Sequence, residues 1–178
     1  TAGQLDEYAQ VLSRNTLEGL GHKLGTDGKD VFYGNNLSNY LMGADGNDTL
    51  HGRGGDDILS GGTGDDELYG GAGKDTLIGG AGNDKLEGGN GEADTYIFAA
   101  GHGQDIVNDY GSNQAHTDTL RFEGAVLADA VFTRSDNDLV IKAFGAEDAV
   151  AVSNYFSSNS GYRYYQFAFD DKTITAAD

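Results

Sequence analysis

The sequence predicts an all-β fold: a right-handed parallel β-roll, then a compact antiparallel β cap, with a short N-terminal helix in front. Three observations carry that expectation. A nine-residue period runs without a gap from Gly25 to Glu87. Glycine gathers there, with 20 of the 29 glycines between Gly25 and Gly91, while 13 of the 18 aromatic residues fall in residues 95–178. An apolar residue occupies the eighth position of every copy, as a strand with one buried face requires. The chain divides accordingly into residues 1–24, a helical cap or linker, residues 25–97, the roll, and residues 98–178, the β-rich cap.

The copies are GTDGKDVFY, GNNLSNYLM, GADGNDTLH, GRGGDDILS, GGTGDDELY, GGAGKDTLI and GGAGNDKLE, followed by a slipped eighth copy, GGNGEADTYIF. Each divides into a six-residue turn and a three-residue strand. The inward column reads Phe32, Leu41, Leu50, Leu59, Leu68, Leu77, Leu86 and Tyr96, and its neighbours, such as Thr49 and His51 or Glu67 and Tyr69, are mostly polar. Two strands and two turns make an 18-residue coil, and coils stack at ~4.8 Å into a roll with a thin leucine centre. A core one residue deep cannot offset the ordering entropy of so many glycines. The turns must contribute.

Glycine at positions one, two and four allows φ > 0 and lets carbonyl oxygens crowd together without a Cβ between them. The acid at position six adds a carboxylate. Such a set of hard oxygens, with no thiol and no paired imidazole, suits calcium rather than zinc or copper. The candidate carboxylate ligands are Asp30, Asp48, Asp57, Asp66, Asp75, Asp84 and Asp94, with Asn39 a weak substitute in copy two. Turn carbonyls supply the rest: Gly25 and Asp27; Gly43, Asp45 and Gly46; Gly52, Gly54 and Gly55; Gly61, Gly62, Thr63 and Gly64; Gly70, Gly71, Ala72 and Gly73; Gly80 and Gly82; Gly89 and Gly91.

Turns 18 residues apart face each other, so one side pairs Asp30 with Asp48, Asp48 with Asp66 and Asp66 with Asp84. The other pairs Asn39 with Asp57, Asp57 with Asp75 and Asp75 with Asp94. Six filled sites would add about +12, and about four to six ions are expected, because Asn39 and Leu37 weaken one site and the slip before Asp94 strains another. Asp118, in the flank, is taken to lie outside these columns.

Charge narrows the partners. With 29 acidic residues against 11 basic, a formal net charge of -18 opposes binding to phosphate backbones or anionic membranes. Neither an apolar run long enough to span a membrane nor a leader of the general secretory type is predicted, and a chain beginning at Thr1 reads as a fragment. Without cysteine there is no disulfide staple, and without proline the turns depend on glycine. A disordered acidic linker would have no reason to keep the apolar column. Residues 1–24 place Leu5, Tyr8, Ala9, Leu12, Leu17 and Leu20 on roughly one helical face.

No catalytic set is visible, and the chain is expected not to be an enzyme. Gly73-Lys74-Asp75-Thr76 lacks the glycine spacing of a phosphate loop, neither HExxH nor GxSxG occurs, and His22, His51, His102 and His116 are scattered. Thr49, Thr63 and Thr76 do not line up as an ice-binding array would.

The nonapeptide G-G-x-G-x-D-x-U-x, with U apolar, resembles the calcium-binding repeat of RTX (repeats-in-toxin) proteins. Beyond it, ADTYIFAAGHGQDIVNDYG, HTDTLRFEG, NDLVIKA, AVAVSNYFSS and FAFDDKTITAAD are similar to the C-terminal flank of RTX blocks in Frp-type iron-regulated proteins and RTX adenylate cyclase toxins. The resemblance implies export by a type I secretion apparatus, an extracellular or cell-surface location, and folding on calcium outside the cell with the flank as nucleus. Charge and composition set the expectation of no nucleic acid and no stable membrane insertion, and a monomer is expected. The alternative is a non-catalytic accessory module of a polysaccharide-active enzyme or adhesin, with Tyr33, Tyr40, Tyr69, Tyr162, Tyr164 and Tyr165 stacking on glycan.

Overall fold

The computed structural model describes residues 20–89, 92–108, 116–157 and 165–175, which form two eight-stranded sheets. The repeats give β1 (Lys23–Leu24), β2 (Val31–Tyr33), β3 (Tyr40–Asp45), β4 (Thr49–Gly54), β5 (Ile58–Thr63), β6 (Glu67–Ala72), β7 (Thr76–Ala81), β8 (Lys85–Gly89) and β9 (Thr95–Ala99). The flank adds β10 (Gln104–Val107), β11 (Asp118–Glu123), β12 (Val131–Ser135), β13 (Asp138–Lys142), β14 (Ala149–Val152), β15 (Tyr165–Phe169) and β16 (Thr173–Thr175), with one 3-10 turn at Leu127–Asp129. Among the described residues no helix is long and apolar enough to cross a membrane.

Strands alternate between the sheets, in the orders β1-β3-β5-β7-β9-β11-β15-β16 and β2-β4-β6-β8-β10-β14-β13-β12. Within the repeats each pair is parallel and one 18-residue coil apart: Leu41 opposes Leu59, and Leu50 opposes Leu68. The slip before Asp94 does not disturb the strand register, since Gly71 opposes Gly89 before it and Thr76 opposes Thr95 and Leu77 opposes Tyr96 after it. Every inward residue from Leu41 to Tyr96 is fully buried, and only Phe32, in the first coil, stays partly open.

The strands are longer than the expected three residues. From β3 to β7 each runs six, because the strand carries on into the first three residues of the next repeat, of which the second and third pair, as Ala44 does with Gly62 and Asp45 with Thr63. Position one needs glycine for a different reason from positions two and four. Gly46, Gly55, Gly62, Gly64, Gly71, Gly73, Gly80, Gly82 and Gly89 have positive φ, as do Ala44 and Arg53 at position two, whereas Gly43, Gly52, Gly61, Gly70 and Gly79 do not. At those position-one glycines the requirement is space.

The flank departs from an antiparallel cap. β11 pairs in parallel with both β9 and β15, and β10 with both β8 and β14; among the described residues antiparallel pairing is confined to β12-β13-β14 and β15-β16. The inward columns therefore continue past the last regular copy. One runs Leu77, Tyr96, Leu120, Phe167, and the other Leu86, Val107, Val152, Leu139. The ladder persists because Asp105-Ile106-Val107 and Asp118-Thr119-Leu120 keep the order acid, outward residue, inward apolar residue after the glycines thin out. At the other end, Lys23 and Leu24 pair with Leu41 and Met42, so the roll starts two residues before Gly25 and the last residues of the 1–24 segment are strand. The helix expected over residues 1–24 otherwise falls on 1–19, outside the described residues.

Candidate metal centre

Seven of the eight position-six side chains are nearly sealed, Asn39, Asp48, Asp57, Asp66, Asp75, Asp84 and Asp94 being at most 2% exposed, while Asp30 in the first coil is half-buried. One oxygen of each acid is spent on the neighbouring coil. The backbone N–H of Asp30 donates to Asp48 Oδ1 at 2.7 Å, and Asp48 donates in turn to Asp66 and Asp66 to Asp84, at 2.7 and 2.9 Å. On the other side Asn39, Asp57 and Asp75 donate to Asp57, Asp75 and Asp94 at 2.7, 2.8 and 2.8 Å. All six expected pairs are thus brought together.

The second oxygen is the informative one. Oδ2 of Asp48, Asp57, Asp66, Asp75 and Asp84 is buried and accepts no hydrogen bond. A buried carboxylate oxygen without a partner is costly, and burial together with neighbouring carboxylates pushes Asp57 and Asp84 up to about 7 and Asp66 and Asp75 to about 6, despite the N–H on Oδ1. A cation at Oδ2 would remove that cost.

Position-one glycine makes room for the cradle. A Cβ on Gly61 would overlap Asp66 Oδ2 and stand 2.5 Å from the Gly79 carbonyl oxygen; one on Gly70 would meet Asp75 Oδ2 and the Gly88 carbonyl. Gly43 and Gly52 are crowded in the same way by Asp48 and Asp57 with the carbonyls of Gly61 and Gly70. The carbonyls of Gly79 and Gly88 therefore belong with the expected position-one set of Gly25, Gly43, Gly52, Gly61 and Gly70, although the repeat pattern alone left them out.

At positions two and four the carbonyls of Gly46, Gly55, Gly62, Gly64 and Gly71 lie under the next turn's glycine in the same sense. The Gly82 carbonyl lies in the same way under Gly103. At position three Asp27, Asp45, Thr63 and Ala72 are exposed and Gly54 is half-buried, and the Thr63 carbonyl already accepts the Gly46 N–H at 2.8 Å. Gly91 lies outside the described residues.

The ends of the columns differ. Asp30 Oδ2 accepts the Thr26 N–H at 2.7 Å and its hydroxyl at 3.0 Å. Asn39 Oδ1 accepts the Asn35 N–H at 2.7 Å, and Nδ2 donates to the Leu20 carbonyl at 3.3 Å and to Asn35 Oδ1 at 3.2 Å. Its amide is satisfied by protein groups, in keeping with a weak site. At the slipped copy the Tyr96 hydroxyl reaches back to accept the Gly88 N–H at 2.8 Å, beside Asp94 Oδ2.

The position-six column also runs further than the repeats. Asp84 N–H donates to Asp105 Oδ1 at 3.0 Å and Asp94 N–H to Asp118 Oδ1 at 2.9 Å. Asp118 is therefore in the column, contrary to its expected place outside. The available signal for Asp105 was AGHGQDIVN, residues 100–108, which keeps glycine at positions two and four, aspartate at six and an apolar residue at eight. A second staple at position five runs in the opposite direction, with Asp65, Asn83 and Gln104 N–H donating to Asn47, Asp65 and Asn83 Oδ1 at 2.9–3.1 Å.

Among the described residues no three side chains of His, Cys, Asp or Glu converge on a metal-sized space. A cation here would be held by one or two carboxylates and a ring of carbonyls, an all-oxygen set suited to calcium. Of the tyrosines considered for glycan contact, Tyr33 and Tyr40 are exposed, Tyr40 lying beside His22 with ring centroids 5.1 Å apart. Tyr33, His51 and Tyr69 stack on each other at 4.8 and 4.7 Å, Arg53 stands 5.1 Å from the Tyr33 ring, and Tyr165 is buried; Tyr162 and Tyr164 lie outside the described residues.

A family model agrees with this turn chemistry. The model of the RTX calcium-binding nonapeptide repeat (4 copies) matches residues 24–59, 33–68 and 60–92. The iron-regulated protein FrpA of Neisseria meningitidis serogroup C is 46% identical over 83 residues, which is 45% of this chain and 7% of that protein. The chain thus spans a small fraction of that relative's length. Among solved structures, the AlgE6R3 subunit of the Azotobacter vinelandii mannuronan C5-epimerase is 20% identical with a TM-score of 0.42, covering 87% of this chain and 84% of that one. The extracellular lipase LipA of Serratia marcescens is 20% identical with a TM-score of 0.37, covering 81% of this chain and 39% of that one.

Proposed function

Since residues 24–92 are a block of RTX calcium-binding nonapeptides, we propose that this chain is a calcium-dependent folding module of a larger secreted protein, delivered by a type I secretion apparatus. The observation that carries the reading is the row of five buried carboxylate oxygens without hydrogen-bond partners. Calcium supplies the positive charge that those oxygens lack. Asp48, Asp57, Asp66, Asp75 and Asp84 would hold it, with position-one, -two and -four carbonyls around it, while their Oδ1 atoms tie each coil to the next. Asp94 completes the sixth pair.

Extracellular calcium modules bind at ~0.1 to 1 mM, so such sites are empty in a cytosol and fill outside. Before filling, the charge of -18 and the uncompensated carboxylates both favour an open chain, the form that threads through an export channel. After filling, binding free energy is folding free energy. The repeats act as a switch that calcium closes, in a monomer with no catalytic role of its own. Tyr33 and Tyr69 each give a ring face to His51 and each have a cation, Arg53 or Lys85, 5.1 Å from the ring, and no specific observation favours glycan contact over this reading.

Far-UV circular dichroism during calcium titration, with magnesium as control, tests the reading. A β signal that rises with calcium, and not with magnesium at the same concentration, is expected. A full β signal in chelator, or equal action by magnesium, contradicts it.

A further inference from the structure

Residues 100–108 repeat the calcium turn in backbone form but complete it differently. Gly101 and Gly103 take φ of 86° and 92°, as positions two and four do upstream, and Asp105 Oδ1 accepts the Asp84 N–H at 3.0 Å as its counterparts do. Its second oxygen is not left open. His102 Nδ1 lies 2.7 Å from Asp105 Oδ2, and both residues are buried, at 4% and 2% exposure. With a carboxylate as acceptor, Nδ1 carries the proton and donates.

His102 is the position-three residue, and at that position upstream Asp27, Asn36, Asp45, Thr63, Ala72 and Ala81 face solvent. Here the side chain turns inward and is held between Phe98 and Phe144, with ring centroids 5.3 and 5.8 Å away. The two oxygens of Asp148 accept the N–H groups of Gly101 and Gly103 at 2.7 and 3.2 Å, pinning the turn from the other side.

We propose that the ninth turn is a calcium turn in which the imidazole N–H of His102 occupies the place of the cation on Asp105 Oδ2. On that side of the roll the metal column then ends at the Asp66–Asp84 pair, and the next coil closes with protein groups alone. The inference rests on the reading of the upstream oxygens as calcium ligands.

The test counts calcium ions bound per chain by isothermal titration calorimetry on the full 178-residue protein. Position one of this turn is Ala100, so the variant that restores both features of an upstream turn is Ala100→Gly with His102→Ala, and it is expected to bind one ion more than wild type because Asp105 Oδ2 is then as bare as Asp84 Oδ2. His102→Asn, whose amide N–H can take the place of Nδ1–H, is expected to keep the wild-type count. Asp105→Asn is also expected to keep it, since its amide can face the other imidazole tautomer and no ion is lost. An unchanged count in the folded double variant, or one ion fewer in Asp105→Asn, overturns the proposal while leaving the upstream sites intact. If the double variant does not fold at saturating calcium, the Asp105→Asn count decides. A wild-type chain that binds no calcium overturns the reading of the repeats themselves, and this inference with it.

Discussion

The repeat block and the flank share one continuous ladder of strands but satisfy their polar groups in opposite ways. In the block two facing columns of leucines, one from each sheet, are the core, and five buried carboxylates keep one oxygen without a hydrogen bond. In the flank the column broadens into stacked aromatic rings, with Phe98 and Phe169 at 5.5 and 5.1 Å from Phe122. There the acids receive N–H groups from the chain: Asp138 from Asn154, Asp148 from Gly101 and Gly103, Asp170 from Gly124 and Asp171 from Leu127. Rings of this size each bury far more apolar area than one leucine, so the flank gains from packing what the block must gain from ions. The same ladder can therefore be metal-dependent at one end and self-contained at the other.

The largest effect that would sharpen this contrast is expected at position one. Gly61→Ala puts a methyl group onto Asp66 Oδ2 and the Gly79 carbonyl, whereas Gly28→Ala meets nothing within 4 Å. The calcium midpoint of folding should rise more than tenfold, or folding fail, for Gly61→Ala, and stay close to wild type for Gly28→Ala. Similar midpoints for the two would mean that the cradle is not where calcium binds.

Next is the loss of one column carboxylate. Asp66 stands in two pairs, so Asp66→Asn should raise the midpoint several-fold, read by the same titration, while exposed Asp129→Asn should leave it unchanged. Asp118 would be a poor control, since it accepts the Asp94 N–H.

Acidity gives a third, intermediate effect. Asp57 and Asp84 are raised from 3.8 to about 7, and Asp66 and Asp75 to about 6, mainly by burial, so between about 4 and 7 the folded block holds more protons than the unfolded chain. Stability of the calcium-free block is thus present in acid and lost as pH rises through that window. In chelator, the β signal should grow when pH is lowered from 7.5 to 4.5, and calcium at pH 7.5 should restore it. A signal in chelator that instead grows with rising pH contradicts the assignment.

The smallest effect concerns strain. Ala44 holds φ of 83° at a position where later copies place glycine, and Ala44→Gly should stabilise the calcium-loaded chain by about 1 kcal/mol in denaturant unfolding. No gain would mean that the turn tolerates a Cβ at position two without strain.

The period, the inward column and the pairing of acids 18 residues apart were legible because a strict repeat converts sequence distance directly into spatial stacking. What lay hidden is what breaks that conversion. The pairings of Gln104 with Ala149 and of Asp118 with Tyr165 join strands separated by long insertions, and no spacing rule predicts a parallel partner across such a gap. The ninth copy was hidden by a lost first glycine and by the aromatic residues around it. Of the two reasons read for position-one glycine, room for crowded oxygens holds and positive φ does not, because which reason applies at which position depends on the neighbouring coil. His102 could be read as scattered until the fold turned it onto Asp105.

Segment-resolved amide hydrogen exchange, in chelator and in millimolar calcium, tests most directly whether the chain has a metal-dependent half and a self-contained half. In chelator, residues 40–89 should exchange rapidly while residues 118–123, 139–152 and 165–169 stay protected, and calcium should bring the first segment up to the protection of the others. Protection that is lost and regained together along the whole chain, or that is full in the repeats without calcium, would contradict the division.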